Sequence, residues 1–229
     1  METTQNTQIQ YQNTQETSLA TIQHYDDIEF YRRSLFQTQI LSFSDDTTPS
    51  YGNMSKRTKG LEFVITASKT GDIPELLTKH YVHIKSAHPT NNIVETIGFA
   101  DSSRDVFIHY YIYETRPDIT HIFHGYHIDL WEHLLKNDYP FISKDITPGS
   151  QEFIEAIKEL ISKDKDATQG IFALEGYKGG FISYADDGRK ASRQIKKILK
   201  QFPDPVQADE TVSTDEVVDE ELSTQRGES

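Results

Sequence analysis

Apolar residues at Ile28, Tyr31, Leu35 and Ile40 follow the acidic start Asp26-Asp27, a spacing that predicts one amphipathic helix over residues 26–41. Residues 45–60 are rich in turn formers. Short apolar runs over 61–65, 82–85 and 93–99 then predict three strands of one sheet. Ser102-Ser103 precedes Val106, Phe107, Tyr110 and Tyr113, a helical set closed by Pro117. Residues 119–123 predict a strand and 130–135 a helix. Another helix starts at Thr147-Pro148 or Ser150 and turns Phe153, Ile154, Ile157, Leu160 and Ile161 inward. Residues 170–174 and 181–184 predict a hairpin around Gly176, Gly179 and Gly180. A last helix buries Ala191, Ile195, Ile198 and Leu199 and leaves Lys190, Arg193, Lys196, Lys197 and Lys200 in water.

Helices and strands are interspersed, yet no strand–helix junction carries a Gly-x-Gly-x-x-Gly or Gly-Lys-Ser/Thr phosphate loop, which disfavours nucleotide-binding folds. The pattern predicts an α/β sandwich around a mixed, mainly antiparallel sheet. With 229 residues, one sizeable domain is expected. Hydrophobic residues are 35% of the chain, low for a sequence packed end to end. The ends account for this: residues 1–22 form a Thr/Gln/Asn-rich stretch and 203–229 an acidic one, both expected to be disordered, around a folded domain over 23–202.

Charge narrows the functional classes. The net charge is −13, and residues 203–229, with nine acids and one base, carry −8 of it. The remaining −5 still repels phosphate backbones and anionic lipid, so neither nucleic acid nor a membrane surface is an expected partner. The absence of Cys removes disulfides, thiolate metal sites and Cys nucleophiles and fits a reducing compartment. With no secretory signal readable in the first residues, a cytoplasmic location is expected.

Four of the nine His, at positions 121, 124, 127 and 133, crowd into one stretch. On a strand His124 shares its face with Tyr126, whereas His121 and His127 point the other way, so a two-His metal site needs a bend at Gly125. Satisfied core histidines are the competing reading. Small-residue loops stand near in the sequence. Residues 51–55 and 66–71 supply amide and hydroxyl donors, and Ser102-Ser103 sits at a helix start that attracts anions. Arg104, a cation in the first helical turn, opposes the helix dipole unless an anion or carboxylate accompanies it.

The order of these pieces resembles the class II aldolase/adducin family: Gly-Asn-x-Ser at Asn53, Thr70-Gly71, Ser102-Ser103 opening a helix that ends at Arg116-Pro117-Asp118, the His124 strand, the glycine hairpin, and a helix with Lys190-Ala191. The resemblance runs from about residue 26 to 200. It implies the family's αβα sandwich, with Asn53, Thr70, Gly71, Ser102 and Ser103 holding the polar end of a substrate. It also implies a divalent metal, usually zinc, on a His-x-His and a third His, with a Glu after Ser-Ser for proton transfer. Only His124 matches these. The second His position reads Tyr126, the third Tyr177, and the Glu position Arg104.

A neutral phenol is a poor zinc ligand, since ionising it at neutral pH costs about 4 kcal/mol. Replacing Glu by Arg repels a cation further. The metal position is therefore expected to be lost, unless His121, His127 or His109 rebuilds one with His124. Three functions follow. The first is a diverged, lyase-like enzyme acting on a small anionic carbonyl compound, with Arg104, His124, Tyr126 and Tyr177 as catalytic candidates. The second is a noncatalytic binding or scaffolding subunit, and the third a zinc-dependent aldolase or epimerase with a rebuilt site. The resemblance further implies a homotetramer.

Overall fold

The computed structural model describes residues 10–14, 24–44, 49–163 and 166–202. Nine strands, numbered in chain order, form its main sheet. From one edge they run β1 (Gln10–Thr14), β7 (Ile93–Gly98), β6 (Tyr81–His88), β5 (Glu62–Thr66), β4 (Asn53–Lys59), β8 (His121–Tyr126), β11 (Gly180–Ala185), β10 (Gln169–Leu174) and β9 (Phe141–Ile142). The pairs β1–β7 and β10–β9, at the two edges, are parallel; every pair between them is antiparallel. A separate small ribbon pairs β2 (Ser42–Ser44) with β3 (Pro49–Tyr51). The expected mixed, mainly antiparallel sheet is thus present.

Period-two alternation sends side chains to both faces, and each face is covered. Phe63, Ile65, Val82, Ile122 and Ile182 meet α2 (Val106–Thr115) and α4 (Gln151–Ser162). Met54, Val64, Phe123 and Phe181 meet α1 (Tyr25–Phe36), α3 (Ile128–Lys136) and α5 (Gly188–Leu199). Starts follow the capping rules: Ser150 accepts from the Phe153 amide, and Asp187 accepts from the Arg189 and Lys190 amides. No helix among the described residues is long and apolar enough to cross a membrane.

Three sequence expectations need correction. The first helix ends at Phe36 rather than continuing to 41. A turn follows, with Gln39 at φ 57°, and Ile40 is buried as a loop residue whose carbonyl accepts from the Tyr126 amide at 2.7 Å. Second, the turn-rich stretch 45–60 contains β4, the strand beside β8, because its polar side chains Asn53, Ser55 and Arg57 find partners on neighbouring segments. Third, within 1–22, residues 10–14 form strand β1; they use the backbone edge of β7, which needs no apolar side chains. The expectations for 1–9, 15–22 and 203–229 lie outside the described residues.

One close approach fixes the site. A Cβ added to Gly52 would lie 2.6 Å from the His124 carbonyl and 3.3 Å from the Gly125 Cα, so only glycine lets the chain enter β4 against β8. Gly52→Ala is expected to destabilise the fold by about 2 kcal/mol or more, measured by urea unfolding.

Candidate functional site

Register places the first site pair. Asn53 of β4 lies opposite His124 of β8, and Ser55 opposite Ile122, so Asn53, Ser55 and His124 share the face beneath α2. From above, α2 and its N-cap supply Asp105, His109 and Tyr113 at i, i+4 and i+8, one line along the helix. The two sets zip together. The His124 Nδ1 lies 3.0 Å from Asp105 Oδ2. The Asn53 amide donates to the same oxygen at 2.7 Å and to Ser103 Oγ at 3.0 Å, while its own oxygen meets His109 Nε2 at 2.6 Å. Ser55 Oγ bridges His109 Nδ1 at 2.6 Å and the Tyr113 hydroxyl at 2.8 Å.

This seam ends on an unsatisfied atom. His124 is fully buried, and its Nε2 has no hydrogen-bond partner among the described residues. Its ring packs on Tyr126, with centroids 4.9 Å apart, and meets the edge of Tyr177 at 6.2 Å. With Nδ1–H turned to the carboxylate, a neutral ring presents its lone pair at Nε2 and a protonated ring presents N–H. A buried polar atom left unpaired is costly, so this nitrogen is a candidate contact for a bound molecule.

The electrostatics are consistent with an oriented imidazole. Burial pushes the Asp105 carboxyl up, but the His124 charge and hydrogen bond and the Asn53 amide outweigh it and hold the group below the usual carboxylate range. Burial drives both phenols upward, Tyr126 and Tyr177 alike, with the Asp105 charge adding to it, so both stay protonated donors. Burial, reinforced by the charge of His124, depresses His109 to about 3.

His109 gives the fold a pH dependence. An unfolded chain protonates this His near pH 6.5, whereas the folded one resists until about 3, so stability is full above 6.5 and falls as pH drops through that window. The expected loss by pH 4 is on the order of 3 kcal/mol. His109→Gln, which keeps a polar side chain but cannot ionise, is expected to flatten this part of the profile in urea unfolding at stepped pH.

Beside the seam opens a cleft of about 1090 Å³. Asp105 and Tyr177 reach it from the seam, and Ser68, Lys69, Ser102, Arg104 and the start of α4 line it. Lys69, exposed in this turn, holds the left-handed conformation, φ 60°, which is uncommon for a side-chain-bearing residue. Two backbone links hold the turn in place: Ala67 bridges to Ser102, and the Ser68 amide donates to the Asp101 carbonyl at 2.9 Å. Behind the turn, buried Arg32 of α1 donates to the carbonyls of Thr70 at 3.1 Å, Ile73 and Pro74 at 3.3 Å, and Glu29 accepts from the Leu76 amide at 3.0 Å.

The residues expected from sequence are distributed unevenly. His124, Tyr126 and Tyr177 are together, and the loops of Asn53, Thr70-Gly71 and Ser102-Ser103 do adjoin. Yet Asn53 spends both amide hydrogens inside the protein, and the Thr70 hydroxyl is tied to the Ala67 carbonyl at 2.8 Å. These two therefore position the site rather than present free donors. Arg104 is exposed on the cleft wall and, among the described residues, has no hydrogen-bonded or ion-paired partner; its neighbour Asp105 is the group beside His124.

His121 lies on the opposite face, 3.2 Å from Asp27, and His127 accepts from the Leu130 amide at the start of α3. β8 runs straight through Gly125, so neither joins His124. His109 is engaged at both nitrogens by Asn53 and Ser55. Among the described residues no three of His, Cys, Asp and Glu are grouped to hold a metal ion. Asp105 and Lys69 were the residues missed as site members. The signal for Asp105 was its spacing of four from His109 and eight from Tyr113.

No family model matches the chain, and no curated protein matches it either. Solved structures do. YgbL of Escherichia coli, provisionally assigned as an aldolase/epimerase/decarboxylase, superposes with a TM-score of 0.56 at 14% identity, over 76% of this chain and 84% of its own. YgbL of Klebsiella pneumoniae gives 0.54 at 17%, over 84% and 90%. L-Fuculose-1-phosphate aldolase of Thermus thermophilus gives 0.54 at 16%, over 77% and 89%. At these identities the likeness is one of fold. With its two-faced mixed sheet and the helices that cover it, the chain has the class II aldolase/adducin fold.

Proposed function

We propose that the chain binds a small carbonyl compound bearing a carboxylate or phosphate, and exchanges a proton with it by lyase-like chemistry. The observation that carries this is the buried Nε2 of His124, without a partner among the described residues, on a ring oriented by Asp105, which itself lines the cleft that bears Lys69 and Arg104. Lys69 and Arg104 hold the anionic end. Tyr177, which touches His124 and lines the cleft, stays protonated and donates a hydrogen bond to the carbonyl oxygen, and the His124–Asp105 pair takes up the proton of the adjacent carbon, leaving an enolate, or returns it.

The donor set does not fit the divalent metal that the family resemblance implies. His124 offers one nitrogen, burial keeps the phenols of Tyr126 and Tyr177 from ionising, and Asp105 is already bonded to His124 and Asn53. Proton transfer is therefore assigned to side chains alone.

Thermal-shift measurements with dihydroxyacetone phosphate, pyruvate and uncharged dihydroxyacetone test the binding half. The anionic compounds are expected to raise the melting temperature of the full chain, and Arg104→Ala is expected to weaken their binding about fivefold to tenfold, the share of one charged contact. A response to the uncharged compound alone, or none to any, contradicts the proposal and leaves a noncatalytic binding role for the fold.

A further inference from the structure

A second surface lies on the far side of the sheet from the cleft. Between α1 and α5 runs a groove of about 700 Å³ lined by Phe30, Tyr31 and the cations Arg189, Arg193, Lys196, Lys197 and Lys200. Phe30 is 70% exposed at its rim. None of these five cations forms a salt bridge among the described residues, although acids outnumber bases 36 to 23 in the chain. Arg189, Arg193 and Lys197 follow one another at i+4 on α5, a repulsive array in the absence of counter-charge. Arg189 also sits in the first helical turn, against the helix dipole.

The sequence holds a matching segment. Residues 203–229 carry nine acids and one base, with Val212, Val217, Val218 and Leu222 set among the acids. They begin immediately after α5, where Phe202 packs against the rings of His127 and His133. An extended chain advances about 3.3 Å per residue, and α5 is about 18 Å long, so acids between 209 and 221 can return along the whole groove.

We propose that the acidic segment 203–229 folds back along α5 and seats in this groove, its carboxylates on the α5 cations and its valines against Phe30 and Tyr31. Charge complementarity and covalent proximity favour the chain's own segment over an acidic partner, because tethering raises its effective concentration. The same seat keeps polyanions off the cations.

Carbodiimide cross-linking of the full chain, as an equal mixture of isotope-labelled and unlabelled protein, tests the contact. Peptides joining Lys197 or Lys200 to carboxylates of 204–221, with both halves labelled or both unlabelled, are expected. Absence of such links, or links that mix labelled with unlabelled halves, overturns the proposal, the latter in favour of a second copy. In parallel, the double variant Arg193→Ser with Lys197→Ser is expected to expose the segment to a Glu-specific protease about fivefold faster than the parent chain. That difference is expected to vanish at high salt. Equal rates at low salt overturn it too.

Discussion

Arg32→Ala is expected to destabilise the chain by about 3–5 kcal/mol in urea unfolding, the cost of breaking a buried ion pair from one side. Arg32 is buried on α1, 3.5 Å from Glu29, and its guanidinium satisfies the carbonyls of Thr70, Ile73 and Pro74. Glu29 in turn accepts from the Tyr81 hydroxyl at 2.6 Å and from the Leu76 amide. Removing the cation leaves a largely buried carboxylate without its ion-pair partner and three carbonyls without this donor. The double variant Arg32→Met with Glu29→Gln is expected to recover part of the loss, since it removes both charges together. A loss below about 1 kcal/mol for Arg32→Ala would show that the pair does not hold the loop. Because that loop carries Lys69 and Thr70-Gly71, the single variant is also expected to weaken anion binding at the cleft.

The second large effect concerns the imidazole. His124→Gln is expected to slow proton exchange on a bound carbonyl compound by about 10²–10⁴-fold, the usual contribution of a positioned acid or base, while the anion is still held by Lys69 and Arg104. Asp105→Asn is expected to lower it less. The amide of Asn can still accept from Nδ1–H, but it no longer stabilises the charged ring. Tyr177→Phe is expected to act on the rate rather than on binding, because it keeps the ring against His124 and removes only the donor.

Most of the layered fold could be derived from residue order. The apolar runs of β5, β6 and β7 and the stripes of α4 and α5 state their burial directly, since hydrophobic spacing reports what a segment packs against. β4 was hidden because a strand reading Asn-Met-Ser-Lys-Arg-Thr-Lys buries polar groups, and their partners on α2 and its N-cap lie 52 to 58 positions away. β1 was hidden because an edge strand is held by backbone bonds.

The site divides along the same line. The family resemblance singles out Asn53, His124, Tyr126 and Tyr177, which adjoin in the structure, and strand parity separates His121 and His127 from them. The role given to Arg104 as a neighbour of His124 assumed that the position after Ser-Ser faces the imidazole. In the structure the N-cap of the helix is Asp105, two residues after Ser103, so the carboxylate lies beside His124, and Arg104, ahead of the helix, lines the cleft. Only the register of β4 on β8 beneath α2 decides this, and single-residue register is not legible from composition or spacing.

The most direct test of the account is deuterium incorporation into dihydroxyacetone phosphate in heavy water, followed by NMR with the full chain after exhaustive chelation. The account predicts that exchange persists without metal and is lost in His124→Gln. Exchange that appears only when zinc is restored, or that proceeds unchanged in His124→Gln, would contradict it.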